Sequence, residues 1–352
     1  MLTRRNLLAG AAALQADSVL RLPRKIRLAM IALAGHTGEV LGQLKRLPDL
    51  EITAIADTNP QAIERVKRIP NAAGARAYSD WRQLLDREKL DMVCTCGDNG
   101  GRPAIILACA ERKLHVIAEK PLAIERADLE RIRAAVSKSG IRLTMLLPMR
   151  FSPVYRAMRQ IVDSGAIGEV AQMGAQKSYQ VGERPEWMRR HATFGGTIPY
   201  IGVHMVDLMR FTSGRDMVKA ASFQNRIGWA ELGDMENTTV TIFSLDNGGT
   251  AALRMDYLRP AAAGSHGDDR LRLAGTRGVV EFQQTAGLTL MTEKEKPRVV
   301  TDLPPGGSLF LNFLESVYHG GKSELTLDEI YRVNEIVLAA REAAERGQVV
   351  RT

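Results

Sequence analysis

The stretch Ile26-Arg-Leu-Ala-Met-Ile-Ala-Leu-Ala-Gly35-His-Thr-Gly38 decides how this chain is read. An apolar run, Ile26–Ala34, breaks into two glycines, and Val40, Leu41, Leu44 and Leu47 then share one face of a helical stretch over His36–Leu47. A strand that turns through glycine into a helix lets backbone approach a pyrophosphate and points the helix N-terminus at its charge. The loop departs from the G-x-G-x-x-G spacing: Ala32 and Ala34 stand where glycine is expected, while Gly35 and Gly38 remain. Support comes from Asp57, 22 residues beyond Gly35 at the end of the next apolar run, Glu51–Asp57. A carboxylate there accepts from both adenosine ribose hydroxyls and repels a 2′-phosphate, which predicts NAD rather than NADP. Asp57 also fits a helix cap ahead of Asn59-Pro60.

Outward from this unit, Asp91–Cys96, Leu114–Ala118 and Ile141–Leu147 read as further strands buried on both faces, alternating with helical segments. That alternation predicts a parallel sheet with right-handed crossovers, a doubly wound Rossmann domain over residues 26–149. After Met149 the pattern changes. Ser152-Pro153 reads as a cap and first-turn proline for a helix with Val154, Met158, Ile161 and Val162 on one face. From Glu169 onward, alternations such as Val240/Ile242 and Ala251/Leu253/Met255/Tyr257 recur between turn signals such as Asp246-Asn247-Gly248-Gly249. Residues 150–352 are therefore expected to form an α+β domain with a mostly antiparallel, open sheet. Thr326-Leu-Asp-Glu329 is a capping box opening a helix over 326–346, with Ile330, Val333, Val337 and Ala340 inward, expected to return to the first domain.

Composition narrows the function classes. The 352 residues are 45% hydrophobic and 25% charged, ordinary for a globular protein, and no stretch approaches the roughly 20 apolar residues that span a bilayer. Of the net charge of +8, residues 1–25 carry +4, and the rest has no basic run interleaved with aromatics, which argues against nucleic acid as a partner. Cys94, Cys96 and Cys109 are too few for a disulfide framework and fit no zinc spacing, so they read as small buried hydrophobes and no metal is expected. Thr3-Arg4-Arg5 followed by Leu7 and Leu8 resembles a twin-arginine export signal, which would send the chain to the periplasm; the alternative is a basic tail on a cytoplasmic protein. That route carries folded proteins, so it suits an enzyme that keeps its dinucleotide bound.

Two motifs go further. Glu119-Lys120-Pro121 directly follows the strand His115-Val-Ile-Ala, and Gly195-Gly-Thr-Ile-Pro-Tyr200-Ile-Gly-Val-His204-Met-Val-Asp207 opens a helix in the second domain. With Met149-Arg-Phe151 and the domain order, they resemble the Gfo/Idh/MocA family of glucose–fructose oxidoreductase, inositol dehydrogenase and relatives. The resemblance implies that Lys120 stands beside the nicotinamide and the reacting hydroxyl, where an ammonium stabilises alkoxide character. It implies His204 as the catalytic histidine, with Asp207 three residues on orienting the imidazole or the helix. Inositol dehydrogenase-like members carry aspartate four residues before the histidine; here Tyr200 stands there, to donate a hydrogen bond, to act as base if Lys120 lowers its pKa, or to pack on a sugar ring.

The cofactor candidates are Ala34, Gly35, His36, Thr37, Asp57, Glu119 and Lys120, with Thr95, Gly97 and Asn99 from Cys94-Thr-Cys-Gly97-Asp-Asn99-Gly-Gly101, a segment that also fits a plain strand-to-helix loop. The substrate candidates are Arg150, Tyr179, Glu183, Trp187 and Arg189, with the polar segment Gln180–Phe194 as a lid over a carbohydrate or an ordinary surface loop. The leading expectation is an NAD-dependent sugar or polyol oxidoreductase with a tightly held cofactor. The alternatives are a redox-neutral NAD-dependent glycosidase and a non-catalytic sugar or dinucleotide-binding protein. The resemblance also implies homo-oligomers built through the open sheet of the second domain.

Overall fold

The structure, a computed structural model, describes residues 19–352; the twin-arginine-like segment lies outside the described residues. The first sheet is built from β1 (Ile26–Ile31), β2 (Leu50–Ala56), β3 (Arg76–Tyr78), β4 (Met92–Thr95), β5 (His115–Ala118) and β6 (Leu143–Met145). All its pairings are parallel in the order β3-β2-β1-β4-β5-β6. Chain direction switches from one side of β1 to the other, so the crevice between the ends of β1 and β4 is where such a sheet takes a ligand. β3 has no counterpart in the sequence reading. It is three residues long and largely exposed, so it carries no apolar periodicity to find.

Two local expectations are corrected. β1 stops at Ile31 rather than Ala34, because Ala32 takes a left-handed conformation with φ of 57° that ends the strand. The helix expected over His36–Leu47 is one α turn, Gly38–Leu41, followed by a 3₁₀ turn at Leu44–Arg46. The apolar face persists, with Val40, Leu44 and Leu47 buried, but Gly38 and Gly42 weaken the helix that would join them.

The second sheet has nine strands: β7 (Val170–Tyr179), β8 (Met217–Asn225), β9 (Thr238–Leu245), β10 (Thr250–Asp256), β11 (Gly267–Gly275), β12 (Gly278–Gln283), β13 (Gly287–Thr292), β14 (Arg298–Val299) and β15 (Val350–Arg351). They run in the order β14-β13-β12-β11-β7-β10-β9-β8-β15, antiparallel except where β7 meets β10. In β10 the alternation is clean: Ala251, Leu253 and Met255 are buried while Thr250, Ala252 and Arg254 face out. The inner face carries the helix Thr197–Ser213, of which 14 residues are buried, while Phe223, Val240 and Ile242 stand exposed on the outer face.

The helix Pro153–Asp163 begins with proline in its first turn as expected, but the Ser152 hydroxyl makes no cap hydrogen bond. The helix Leu327–Arg346 has the complete capping box of Thr326 and Glu329 and buries Ile330, Val333, Val337 and Ala340. It reaches the first domain: Leu122 N donates to Asn334 Oδ1 at 2.9 Å, and ion pairs join Arg133 to Glu335 and Arg341 to Glu125.

Candidate active site

The turn after β1 is shaped by what approaches it. Gly35 has φ of +126°, and a Cβ there would lie 2.6 Å from Glu119 Oε2. Where Ala32 replaces a glycine, the neighbouring loop gives way: Gly97, with φ of +79°, would bring a Cβ to 2.7 Å from that of Ala32. Asp57 ties the end of β2 to this turn, accepting from Leu33 N and from Asn59 N, each at 2.7 Å, while Asn59 caps the following helix. Asp57 is therefore not itself that helix's cap.

Glu119 and Lys120 follow β5 into the same crevice. The Glu119 carboxylate accepts from the His36 backbone N–H at 2.7 Å and pairs with His36 Nδ1 at 2.8 Å. Burial works to raise its pKa, yet the His36 hydrogen bond and the cations Lys120 and Arg102 prevail and hold it down to about 2. Arg102, fully buried, donates to Pro121 O, to Gly97 O at 2.9 Å and to Asn99 Oδ1 at 2.9 Å, locking the loops after β4 and β5 together.

Lys120 is 2% exposed. Its Nζ donates to Tyr200 O at 3.0 Å, lies 3.9 Å from Glu119 Oε1, and sits 3.3 Å over the Tyr200 ring. Burial brings its pKa down from 10.5 to about 7; Glu119 opposes, while Arg102, Lys177 and Arg184 push the same way.

The facing wall is the helix Thr197–Ser213. Its start is fixed by Gly195 and Gly196, with φ of +82° and +95°, and a Cβ on Gly195 would lie 2.2 Å from Ile124 Cγ2. Glu236 accepts from Thr197 N at 2.9 Å and pairs with His191 Nε2 at 2.9 Å, placing a carboxylate on the helix N-terminus. Two turns in, the His204 ring meets the His36 ring edge-on at 5.4 Å, and its buried Nδ1 has no partner among the described residues. Burial, then the charges of Lys120, Lys177 and His36, hold His204 well below the usual histidine range, so it is neutral. Tyr200 belongs to an aromatic group with Phe194 and Trp187, at 5.0 and 6.0 Å between ring centres. Burial, with Glu119 beside it, pushes its hydroxyl up to about 12, so the expectation that Lys120 makes it a base fails.

The residues singled out from sequence divide clearly. Lys120, Glu119, His36, His204 and Tyr200 converge, and Trp187 packs on Tyr200. Thr95 is buried at the end of β4 with a hydroxyl that has no partner among the described residues. Asp207 does not orient His204. It turns to Arg150, with Arg150 Nε donating at 3.2 Å and Nη2 making a second bond, while Nη1 reaches Glu324 O at 2.9 Å and Glu329 at 3.2 Å. Arg150 is thus a buried structural ion rather than a substrate contact, because only this pairing offsets its desolvation. Asn99 is likewise taken up by the fold, donating to Phe194 O at 2.7 Å. Ala34 and Gly97 meet through backbone, Gly97 N donating to Ala34 O at 2.9 Å, and the Thr37 hydroxyl reaches Leu33 O at 3.4 Å. Glu183 and Arg189 are exposed, Arg189 pairing with Glu186 in solvent.

The sequence reading missed Lys177, Arg184, Arg102 and Glu236. Lys177 was legible: it follows Met173 and Ala175 on the inward phase of β7, with Tyr179 next. Its Nζ pairs with Asp269 at 2.6 Å and lies 5.2 Å from the Tyr179 ring. Arg184, Arg102 and Glu236 act through contacts far apart in sequence, which no periodicity marks.

The crevice fits a dinucleotide. The glycines that a Cβ would block, the unpartnered Thr95 hydroxyl and Asp57 at the end of β2 are the features its phosphates and ribose require. Comparison with known proteins agrees. The profile described as oxidoreductase family, NAD-binding Rossmann fold, matches residues 26–146, and that of the GFO/IDH/MocA C-terminal domain matches residues 155–281. The oxidoreductase YrbE of Bacillus subtilis is 28% identical over 254 residues, 70% of each chain. The myo-inositol 2-dehydrogenase of Thermotoga maritima is 24% identical over 274 residues, 77% of this chain and 79% of that one. A solved oxidoreductase from Thermotoga maritima, 32% identical, superposes with a TM-score of 0.88 over 93% of this chain and 100% of that one. A levoglucosan dehydrogenase in complex with NADH shares the fold, with a TM-score of 0.78 at 18% identity over 93% and 98%. With both of its domains matched in order and a relative of this identity over its whole length, the chain belongs to the Gfo/Idh/MocA family of oxidoreductases.

Proposed function

We propose that this protein is an NAD-dependent dehydrogenase of the CH–OH group of a sugar or polyol, and that Lys120 handles the proton. The observation that carries the reading is the Lys120 amine: buried between the two domains, close to a neutral histidine, and poised near pH 7. A bound nicotinamide supplies the hydride acceptor. The free amine of Lys120 takes the hydroxyl proton as the carbon loses hydride, and the ammonium so formed faces the new carbonyl oxygen. Neutral His204 accepts or donates a hydrogen bond to the same oxygen and fixes its direction. Tyr200 contributes a backbone carbonyl and a ring face to Lys120 rather than a proton. Asp57 at the ribose favours NAD over NADP. Trp187 and Tyr179 supply flat surfaces for a sugar face. The inositol and levoglucosan dehydrogenases among its relatives support the substrate class. Assembly through the outer face of the second sheet and export by the Thr3–Leu8 segment belong to the same reading.

The test is to assay denatured protein for released dinucleotide, then to follow NADH formation at 340 nm across a panel of polyols and aldoses. About one NAD per chain is expected, with a Lys120→Met variant that still binds NAD but turns over about a thousandfold more slowly. Glycoside cleavage without net NADH would replace the reading with a redox-neutral glycosidase. Dinucleotide binding without turnover of either kind would leave a binding protein.

A further inference from the structure

Each carboxylate lining the cleft already has a cationic partner, although Asp269 Oδ1 is left without one among the described residues. Glu119 is held by His36, Asp269 by Lys177, and Glu236 by Thr197 N and His191. The cations outnumber them, and one has no carboxylate to meet. Arg184, half-buried in the segment after β7, makes no ion pair among the described residues. One of its outer nitrogens donates to Gln180 O at 2.9 Å, its Nε is buried without a partner among the described residues, and its guanidinium carbon lies over Tyr257, 4.6 Å from the ring centre. Tyr257 is fully buried with an unpartnered hydroxyl and stands 6.2 Å from Tyr179. Tyr179 in turn stacks on His266 at 4.9 Å and borders Lys177. Arg184 thus begins an aromatic wall that runs toward Lys177.

Arg184 also belongs to the reaction centre electrostatically: its charge lowers the proton affinity of Lys120, Tyr200, Tyr257 and His266 together. Its positive field opposes a developing ammonium at Lys120, and a negative group entering with the substrate would offset it. An oxidised nicotinamide ring is itself positive, so the dinucleotide does not supply that charge at this end. Of the nearby acids, Glu183 is exposed to solvent and Asp269 is held by Lys177 through Oδ2, with its Oδ1 buried and unpartnered among the described residues.

Resting on the dehydrogenase reading above, we propose that Arg184 binds a substrate carboxylate, so that the substrate is a carboxylated sugar, an aldonate or uronate, rather than a neutral polyol. The planar guanidinium suits the two oxygens of a carboxylate, and its unused donors are the ones such a group would take. Tyr257 backs Arg184 from the interior, and the partly exposed Tyr179, beside Lys177, offers a ring face to the carbon chain between that carboxylate and the hydroxyl at Lys120.

The test uses matched pairs on full-length protein loaded with NAD: D-gluconate against D-glucitol, D-glucuronate against D-glucose, and D-galacturonate against D-galactose. Binding is read by calorimetry and hydride transfer by NADH absorbance. The acid of at least one pair is expected to bind at least tenfold tighter. That advantage is expected to vanish in Arg184→Gln and to survive in part in Arg184→Lys, which keeps the charge but loses the fork. Equal binding of acid and neutral members, an advantage untouched by Arg184→Gln, or tighter binding of D-glucose 6-phosphate than of any acid would overturn the proposal. NADH formed from neutral polyols with no acid preference would keep the dehydrogenase and discard the carboxylate site. Arg184-dependent acid binding without any NADH would do the reverse.

Discussion

One helix touches two buried ionic clusters that behave oppositely. At Asp207 it meets Arg150, whose Nε and both terminal nitrogens are bonded, to Asp207, Glu324 O and Glu329. Three residues earlier, at His204, it faces Lys120, where the histidine Nδ1 has no partner and the lysine has lost most of its proton affinity. Both clusters are desolvated; the Lys120 cluster joins the first domain to the second, and the Arg150 cluster ties separate elements of the second domain together. In the Arg150 cluster the partners outweigh burial at the guanidinium, which keeps its charge, although burial still pushes Asp207 upward against Arg150, and the pair acts as a clasp. In the Lys120 cluster burial is left partly unanswered, so the proton becomes easy to move. What separates scaffold from chemistry here is the completeness of hydrogen bonding rather than burial or charge.

The comparison breaks most visibly through the clasp. Replacing Arg150 with Met leaves Asp207 and Glu329 without their cation, and urea unfolding is expected to register a loss of about 3–5 kcal/mol. Adding Asp207→Leu is expected to recover more than half of it, because the uncompensated charge goes too. A single variant as stable as wild type would mean that the two clusters are not different in kind. A smaller effect sharpens the second half. Gly195→Ala drives a methyl into Ile124 at a backbone angle that alanine resists, at an expected cost of about 2–3 kcal/mol. Gly38→Ala, with nothing within 4 Å and no positive φ, is expected to stay within about 0.5 kcal/mol. Equal costs at the two positions would show that the start of the active-site helix is not fixed by close packing.

Much of this was legible in the sequence, for identifiable reasons. Strands β1, β2, β4, β5 and β6 are mostly buried and so appear as predominantly apolar runs, whereas the exposed edge β3 does not. Glu119-Lys120-Pro121 and the Gly195–Asp207 segment are continuous in sequence, so the residues they carry were found. The errors came where a side chain's partner is remote. Asp207 was expected to orient either the histidine or their shared helix, yet Arg150, 57 residues away, takes its carboxylate. Arg150 was assigned to substrate for the same reason. Asn99 was given to the cofactor, although Phe194 O, 95 residues on, takes its amide. Lys177 was overlooked although strand alternation turns it inward, because a lysine in a strand is ordinarily read as surface.

The central claim is that Lys120 is a buried base whose charge the fold does not fully support, and stability against pH tests it without knowledge of the substrate. With its pKa at about 7 in the folded chain and 10.5 as its ordinary value, Lys120 is neutral in both states above pH 10.5 and contributes no charge penalty there. As pH falls from 10.5 toward 7 the unfolded chain takes up a proton that the folded chain refuses, so wild type loses stability, and the loss is complete below 7. Urea unfolding of wild type and Lys120→Met from pH 6 to 11 is therefore the measurement to make. The expected result is a Met variant more stable by about 4 kcal/mol at pH 7, with the advantage shrinking steadily toward pH 10.5. A Met variant less stable than wild type at pH 7, or a difference that does not change with pH, would make Lys120 a satisfied ion like Arg150 and contradict the account.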